Sequence, residues 1–363
     1  MRILHTEASN GWGGQEIRIL RESLGMRERG HEIYFVVVSG GQLAKRAKEA
    51  GFTVYELPMD RWHIPTSLFQ LIKILRKHHI DIINTHSSFD GWFGGCAGKL
   101  AGVKVIRTRH LSTAIRPGMN ANLLYRLLAD CTVTTCEETA EKIRQMTGMS
   151  HERCLSIPTG IEIERVKVTP EEIQHVRQKY GISNQECVIG TACVLRSWKG
   201  IGDFILAAKL LKNIPNLRWL IVGSGPMDLL FKEEVKKLGI QDKVIFTGFL
   251  ENPFPAIGAM DIFLLLSTTS EGVSQASLQA AFLKKPQVTT TIGGLPEVCI
   301  NEETGFTVPP KSPAAVAEKV AILAQNPKLR EEMGSKARQL VLDKFTMEKT
   351  LNAMERIYHR LLA

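Results

Sequence analysis

A carboxylate and two cations stand where loops should meet a ligand. Glu271 lies in Ser270-Glu271-Gly272-Val273-Ser274-Gln275-Ala276-Ser277-Leu278-Gln279-Ala280, just after the apolar run Asp261-Ile262-Phe263-Leu264-Leu265-Leu266. The run reads as a buried strand, and 275–284 carries a helical pattern. Glu271 then belongs to the loop at a strand's carboxyl end, with Gln279 about a turn into the next helix. Open α/β sheets bind ligands in that crevice, and a helix start offers free backbone N–H groups to an anion. A carboxylate beside a phosphate site can fix a sugar hydroxyl. Arg196-Ser197-Trp198-Lys199-Gly200 follows another strand candidate. Two cations before a helix can clamp a diphosphate. The plain alternative is a solvated loop.

Other loops repeat the theme. Gly11-Trp12-Gly13-Gly14-Gln15-Glu16 joins the first strand to the first helix. Its glycines let backbone approach a phosphate, or simply make a tight turn. The G-x-G-x-x-G spacing is missing and Val36-Val37-Val38-Ser39 ends the second strand without an acid, which argues against dinucleotide binding. Thr85-His86-Ser87 and Arg107-Thr108-Arg109-His110 are both expected just after strands. A histidine there can bond a sugar hydroxyl or steady a departing phosphate, although a lone histidine is more often structural. Gly223-Ser224-Gly225-Pro226 opens a helix in a manner suited to a nucleotide, and Phe249-Leu250 after Gly248 can present backbone to a base edge. In Gly293-Gly294-Leu295-Pro296-Glu297 the glycines serve backbone geometry.

Short apolar strands alternate with amphipathic helices along the chain, which predicts doubly wound α/β architecture. Strands are expected at 2–5, 33–38, 53–57, 81–85, 103–107, 131–135 and 154–157, then at 188–193, 218–222, 243–247, 261–266 and 287–290. Helices are expected between them, among others at 15–29, 67–79 and 123–129. The alternation breaks over the charged stretch 160–170, which ends in Pro170. Two Rossmann-like halves result, 1–165 and 172–342, and a final helix at 347–361 suited to pack back on the first.

Composition narrows the classes. At 363 residues, 44% hydrophobic and 23% charged, the chain is an ordinary globular protein of two domains. No apolar run reaches the roughly 18 residues a membrane helix needs. Met1-Arg2-Ile3-Leu4-His5 enters a strand without a signal-peptide core. Seven scattered cysteines with no C-x-x-C pair fit reduced thiols in a cytosolic protein, and no metal site is expected. The net charge of +9 suits anionic partners such as phosphorylated substrates or acidic lipid, or is only a basic surface. No motif points to nucleic acid.

In order, these segments resemble the retaining glycosyltransferases of family four, with the two-domain GT-B fold. The resemblance spans nearly the whole chain. It rests on the Gly13-Gly14 loop with Glu16, Asp81-Ile82-Ile83-Asn84-Thr85-His86, Thr108-x-His110 and Ile157-Pro158-Thr159-Gly160-Ile161-Glu162. It continues through Trp198-Lys199-Gly200, Val222-Gly223-Ser224-Gly225-Pro226, Phe246-Thr247-Gly248, Ser270-Glu271-Gly272 and Gly293-Gly294-Leu295-Pro296-Glu297. It implies two Rossmann-like domains facing across a cleft, with the nucleotide-sugar donor on the second and the acceptor on the first. A hexose-type sugar would leave a UDP or GDP carrier with retained configuration. Glu271 would hold the sugar hydroxyls, Lys199 and Arg196 the diphosphate, and His110 would sit by the reacting sugar. Gly13, Gly14, Gly223, Phe249, Leu250, Val273, Ser274, Gln275 and Gln279 complete the implied donor site. His86, Arg109 and Arg116 fall on the implied acceptor side. No cofactor is implied, since the nucleotide sugar is a substrate.

The chain departs from the family pattern twice. A second glutamate is usual eight residues after the first, and here stands Gln279; an arginine is usual five before the lysine, and here stands Val194. An amide can still hold a ribose hydroxyl through its oxygen and NH2. Arg196 offers a cation two residues later. Basic and apolar stretches at 73–79 and 107–120 suit a lipid-linked or lipopolysaccharide acceptor at the inner face of an anionic membrane, although the first reads equally well as an ordinary helix face and loop. Two rivals stay open, a nucleotide-sugar epimerase on the same scaffold and an inactive nucleotide- or glycan-binding relative.

Overall fold

The computed structural model describes every residue except 61, 111–114 and 270. By its contacts the chain divides into two units, Met1–Thr159 with Glu348–Ala363, and Gly160–Met347. The first is built on seven parallel strands: β1 (Arg2–Glu7), β2 (Glu32–Val38), β3 (Thr53–Leu57), β4 (Ile82–Thr85), β5 (Lys104–Arg109), β6 (Cys131–Thr134) and β7 (Cys154–Ser156). Their order is β3-β2-β1-β4-β5-β6-β7, so the winding reverses between β1 and β4. The second unit has six parallel strands, β8 (Cys187–Ala192), β9 (Leu217–Val222), β10 (Val244–Gly248), β11 (Ile262–Leu265), β12 (Gln287–Thr290) and β13 (Gly305–Val308). Their order, β10-β9-β8-β11-β12-β13, reverses between β8 and β11. Both sheets are the doubly wound arrangement the alternation predicts.

Strands in such sheets are covered on both faces, which is why they read as apolar runs. In the second unit the two-residue period divides the core. Ile189, Leu217, Trp219 and Ile221 enter one apolar cluster with Phe204 and Val320, whereas Val188, Leu220, Val222 and Phe263 enter another with Ile257 and Ala280. In the first unit Leu4, Val36, Ile83 and Val105 pack against Leu71, Ile74, Phe93 and Ala97 of helices Ile64–Lys77 and Ser88–Ala101.

The terminal helix Met347–Leu362 belongs to the first unit by its contacts. Tyr358 donates to Glu22 at 3.2 Å, and Glu355 pairs with Arg29 at 2.7 Å and His31 at 2.9 Å. Leu351 occupies the space a side chain at Gly25 would take. The charged stretch after Thr159 runs beside the end of helix Pro327–Lys344, with Ile161 donating to Phe345 at 2.8 Å.

Three elements differ from expectation. β5 runs on to Arg109, so Arg107 and Arg109 lie within a strand and only His110 follows it. Their charges conceal the strand, but partners remote in sequence accommodate them. Arg107 lies over Gly91, where a Cβ would stand 2.9 Å from its Cζ, and Arg109 donates to the Tyr125 hydroxyl at 2.9 Å. The helix expected at 123–129 is a short turn, Met119–Ala121, followed by a wider π-helical turn at Asn122–Leu127. The edge strand β13 has no counterpart among the expected strands, being four residues long and opening on glycine.

Candidate active site

In the second unit the loops expected to meet a ligand lock together at the carboxyl edge of the sheet. The loop after β8 forms a single 3-10 turn, Ser197–Lys199, closed by Gly200 at φ +69°. A Cβ at Gly200 would fall inside the contact distance of the Leu266 carbonyl, so glycine is required by both torsion and space. Thr268 donates to the Trp198 carbonyl at 2.8 Å, joining the loops after β8 and β11. Gly293, at φ +59° in the loop after β12, leaves room for the Glu271 carbonyl, and Gly294 donates to that carbonyl at 3.2 Å. The loop after β9 joins from the other side, with Leu195 donating to Ser224 at 3.0 Å and Gly223 to Gly248 at 3.0 Å.

This lattice of loops brings Lys199 and Glu271, 72 residues apart, into an ion pair. The same carboxylate oxygen accepts from Ser267 at 2.7 Å. Both side chains are largely buried, at 19% and 9% exposure, so water screens them little. The pair lies at the carboxyl ends of β8 and β11, where the strand order reverses. That reversal is where open α/β sheets bind ligands. A cation beside a fixed carboxylate can meet a diphosphate and a polyhydroxyl together.

The other expected residues of this unit differ in exposure. Arg196 is exposed, its guanidinium 5.1 Å from the Trp198 ring centre. Val273 is buried, and Ser274 and Gln275 open helix Gln275–Phe282 with no acidic side chain in its first turn. Its N-terminal dipole is therefore available to an anion. Gln279, one turn on, is partly exposed. Phe249 is 76% exposed just past Gly248, whereas Leu250 packs on the apolar core. Ser270, next to Glu271, lies outside the described residues.

In the first unit the sequence missed a buried polar cluster. Glu7 ends β1, accepts from the Ser9 amide at 2.7 Å and from the Gln15 amide group, and is fully buried. Burial, with the charge of Asp90 adding to it, pushes its pKa up to about 7. Asp90 accepts from Thr6 at 2.7 Å, the His86 amide at 2.7 Å and the Ser87 amide at 2.6 Å, capping helix Ser88–Ala101. The glycine loop before helix Gly14–Glu28 is held similarly, Gly13 donating to the Glu16 carboxylate at 2.8 Å. Open space surrounds the position of a Cβ at Gly14. The signal for this cluster was acidic and imidazole side chains inside apolar strands, at His5 and Glu7.

His86 and His110 meet as neighbours. His86 Nδ1 is 2.8 Å from His110 Nε2, and His86 Nε2 is 2.9 Å from His5 Nδ1. Burial pulls His5 down to about 3 and both others well below the usual imidazole range. Four of their six ring nitrogens are spent on one another, which leaves His5 Nε2 and His110 Nδ1 outside the two links; among the described residues no group of three or more His, Cys, Asp or Glu is arranged to hold a metal. Arg109 is 9% exposed and turned to Tyr125, whereas Arg116 is exposed beyond residues 111–114. Each unit thus carries its own cluster at the carboxyl ends of its strands.

Comparison with known proteins matches residues 12–165 to the family model "Glycosyltransferase Family 4" and residues 172–340 to "Glycosyl transferases group 1". The N-acetyl-alpha-D-glucosaminyl L-malate synthase of Bacillus anthracis is 25% identical over 353 residues, covering 93% of this chain and 91% of that protein. The capsular polysaccharide biosynthesis glycosyltransferase CapM of Staphylococcus aureus is 23% identical over 355 residues, covering 93% and 92%. Among solved structures, the HepE protein of Anabaena in complex with UDP superposes with a TM-score of 0.85 at 19% identity, covering 98% of this chain and 99% of that one. The shared fold is GT-B.

Proposed function

The chain belongs to glycosyltransferase family 4, a retaining family that uses nucleotide-sugar donors, and on that premise we propose the role of its parts. It moves a hexose-type sugar from a UDP- or GDP-sugar to a glycan, lipid-linked or lipopolysaccharide acceptor of the cell envelope. The Lys199–Glu271 pair carries this reading. Glu271 holds the sugar hydroxyls. Lys199 exchanges part of its contact with Glu271 for the diphosphate and meets the charge that grows on the leaving group, together with Arg196 and the start of helix Gln275–Phe282. The amides of Val273, Ser274 and Gln275 bond sugar and phosphate, Gln279 the ribose, and the backbone at Gly223, Phe249 and Leu250 the nucleoside.

The first unit supplies the acceptor side. Gly13 and Gly14 approach the diphosphate, His110 contacts the transferred sugar, and His86, Arg109 and Arg116 border the acceptor. The fold holds UDP in the Anabaena protein, which favours a uridine carrier. The capsular relative favours an envelope acceptor. No helix among the described residues is long and apolar enough to cross a membrane. Exposed Trp62, just before helix Ile64–Lys77, and exposed Ile64 and Phe69 on it, with Lys73 and Lys77 on the same helix, suit peripheral contact with an anionic lipid surface at the cytoplasmic face.

The test incubates the purified chain with a panel of UDP- and GDP-sugars and membrane-extracted acceptors, following nucleotide release and product. Release with a glycosylated product supports transfer. An isomerised sugar without transfer, or binding without turnover across the panel, contradicts it.

A further inference from the structure

The histidines of the first unit form a single ring-to-ring chain, and its proton arrangement is restricted. His5 lies inside β1, while His86 and His110 follow β4 and β5. The two links are 2.9 and 2.8 Å. A neutral imidazole has one N–H and one acceptor nitrogen, so two links in series allow only two arrangements. In the first, every ring carries its proton on Nδ1. His5 donates to His86, His86 donates to His110, and the Nδ1–H of His110 is left outside the chain. In the second, every ring is protonated on Nε2, and the chain ends in an Nε2–H on His5.

The buried end decides between them. His5 Nε2 is buried with no hydrogen-bond partner. Burying an unpartnered N–H is rarer in native proteins than burying an under-used acceptor. The unit already buries unpartnered donors at Arg18 Nη1 and Nη2 and at Arg107 Nε and Nη1. The positive charges of Arg18 and Arg107 bear on both His86 and His110, so an extra proton on the chain is disfavoured as well. The arrangement ending in a bare lone pair on His5 satisfies these constraints. The ring geometry fits this link: the His5 and His86 planes are 18° from parallel with centres 5.1 Å apart, as a hydrogen bond in the ring plane requires, and the Phe35 ring centre lies 5.7 Å from that of His5.

We propose that His5 and His86 are positioning residues that hold His110 in its Nδ1–H tautomer, so that His110 presents a hydrogen-bond donor, and not a base, to the transferred sugar. The second half rests on the placement of His110 beside that sugar. A donor there bonds a sugar oxygen, and the acceptor's proton must be taken by another group.

The test labels histidine with nitrogen-15 in the full chain and reads each ring by long-range proton–nitrogen correlation at neutral pH. His110 should show a protonated Nδ1 and a bare Nε2; a protonated Nε2 overturns the proposal, and this reading needs no variant. With the nucleotide sugar selected by the panel above, His86→Phe should lower kcat about 10- to 100-fold while KM stays within about twofold. His86→Asn, whose amide can donate to His110 Nε2, should recover most of that loss. Unchanged kcat in His86→Phe overturns the positioning role. Full activity in His110→Ala defeats the placement of His110 by the sugar, which the tautomer measurement does not depend on.

Discussion

Replacing Gly293 by alanine tests whether the loops around Glu271 are built as described. Gly293 holds φ at +59°, and a Cβ there would overlap the Glu271 carbonyl oxygen. The left-handed torsion alone costs an alanine roughly 1–2 kcal/mol. The overlap adds about 1–3 kcal/mol, because the obstacle is backbone and not a flexible side chain. The sum, about 2–5 kcal/mol, is less than or comparable to the stability of a typical domain, so the unit should fold but open more readily. Relief requires the Glu271 backbone to move, and a shift of about 1 Å in a positioning group costs on the order of 100-fold in rate. Amide hydrogen exchange on β11 and β12 gives the opening free energy of this unit alone, and kcat/KM gives the second effect. Gly202→Ala is the control, since nothing lies within 4 Å of its Cβ position in helix Ile201–Leu210. It should be neutral or stabilising by up to about 1 kcal/mol. Gly293→Ala with wild-type exchange and wild-type turnover would refute the reasoning.

Three further outcomes follow from the same geometry. Gln279→Glu should tighten nucleotide binding by about 1 kcal/mol through a charge-assisted bond, with kcat within about twofold; calorimetry showing weaker binding contradicts the ribose assignment. Glu7 has its pKa raised in the fold to about 7 from an ordinary 4.5, so the folded state holds a proton that the unfolded state releases between those values. Its contribution is therefore lost as pH rises through that window, by about 3 kcal/mol at most. The stability difference between wild type and Glu7→Gln should shift in favour of the variant from pH 5 to pH 8, and a difference independent of pH removes the buried-acid assignment. Arg196→Ala, at an exposed site stacked on Trp198, should weaken donor binding only about three- to tenfold, and less at high salt. A loss as large as that of Lys199→Ala would contradict the smaller, solvent-screened share of the diphosphate charge assigned to Arg196.

Much of the fold was legible because strands covered on both faces leave apolar runs, as at Ile262–Leu265 and within Glu32–Val38. The end of β5 was not, because Arg107 and Arg109 look like loop residues until Gly91 and Tyr125 are seen beside them. Glu271 and Lys199 were legible singly, from their places after strands. Their pairing was not, since it depends on β8 and β11 lying side by side across 72 residues. The histidine chain lay deeper still. His5 and His86 are 81 residues apart and meet only because β1 and β4 are neighbours, so an imidazole inside an apolar strand marks His5 as unusual without naming its partner. Glycine positions could be read as turns, but the carbonyl that requires each glycine is visible only in three dimensions.

The central claim is that Glu271 holds the donor sugar while Lys199 meets its diphosphate, and turnover of Glu271→Ala tests it most directly. Nucleotide release should fall by at least about 1000-fold while the circular dichroism spectrum and the hydrogen exchange of β8 and β11 remain those of a folded unit. A folded Glu271→Ala protein that transfers sugar at the wild-type rate would contradict the account.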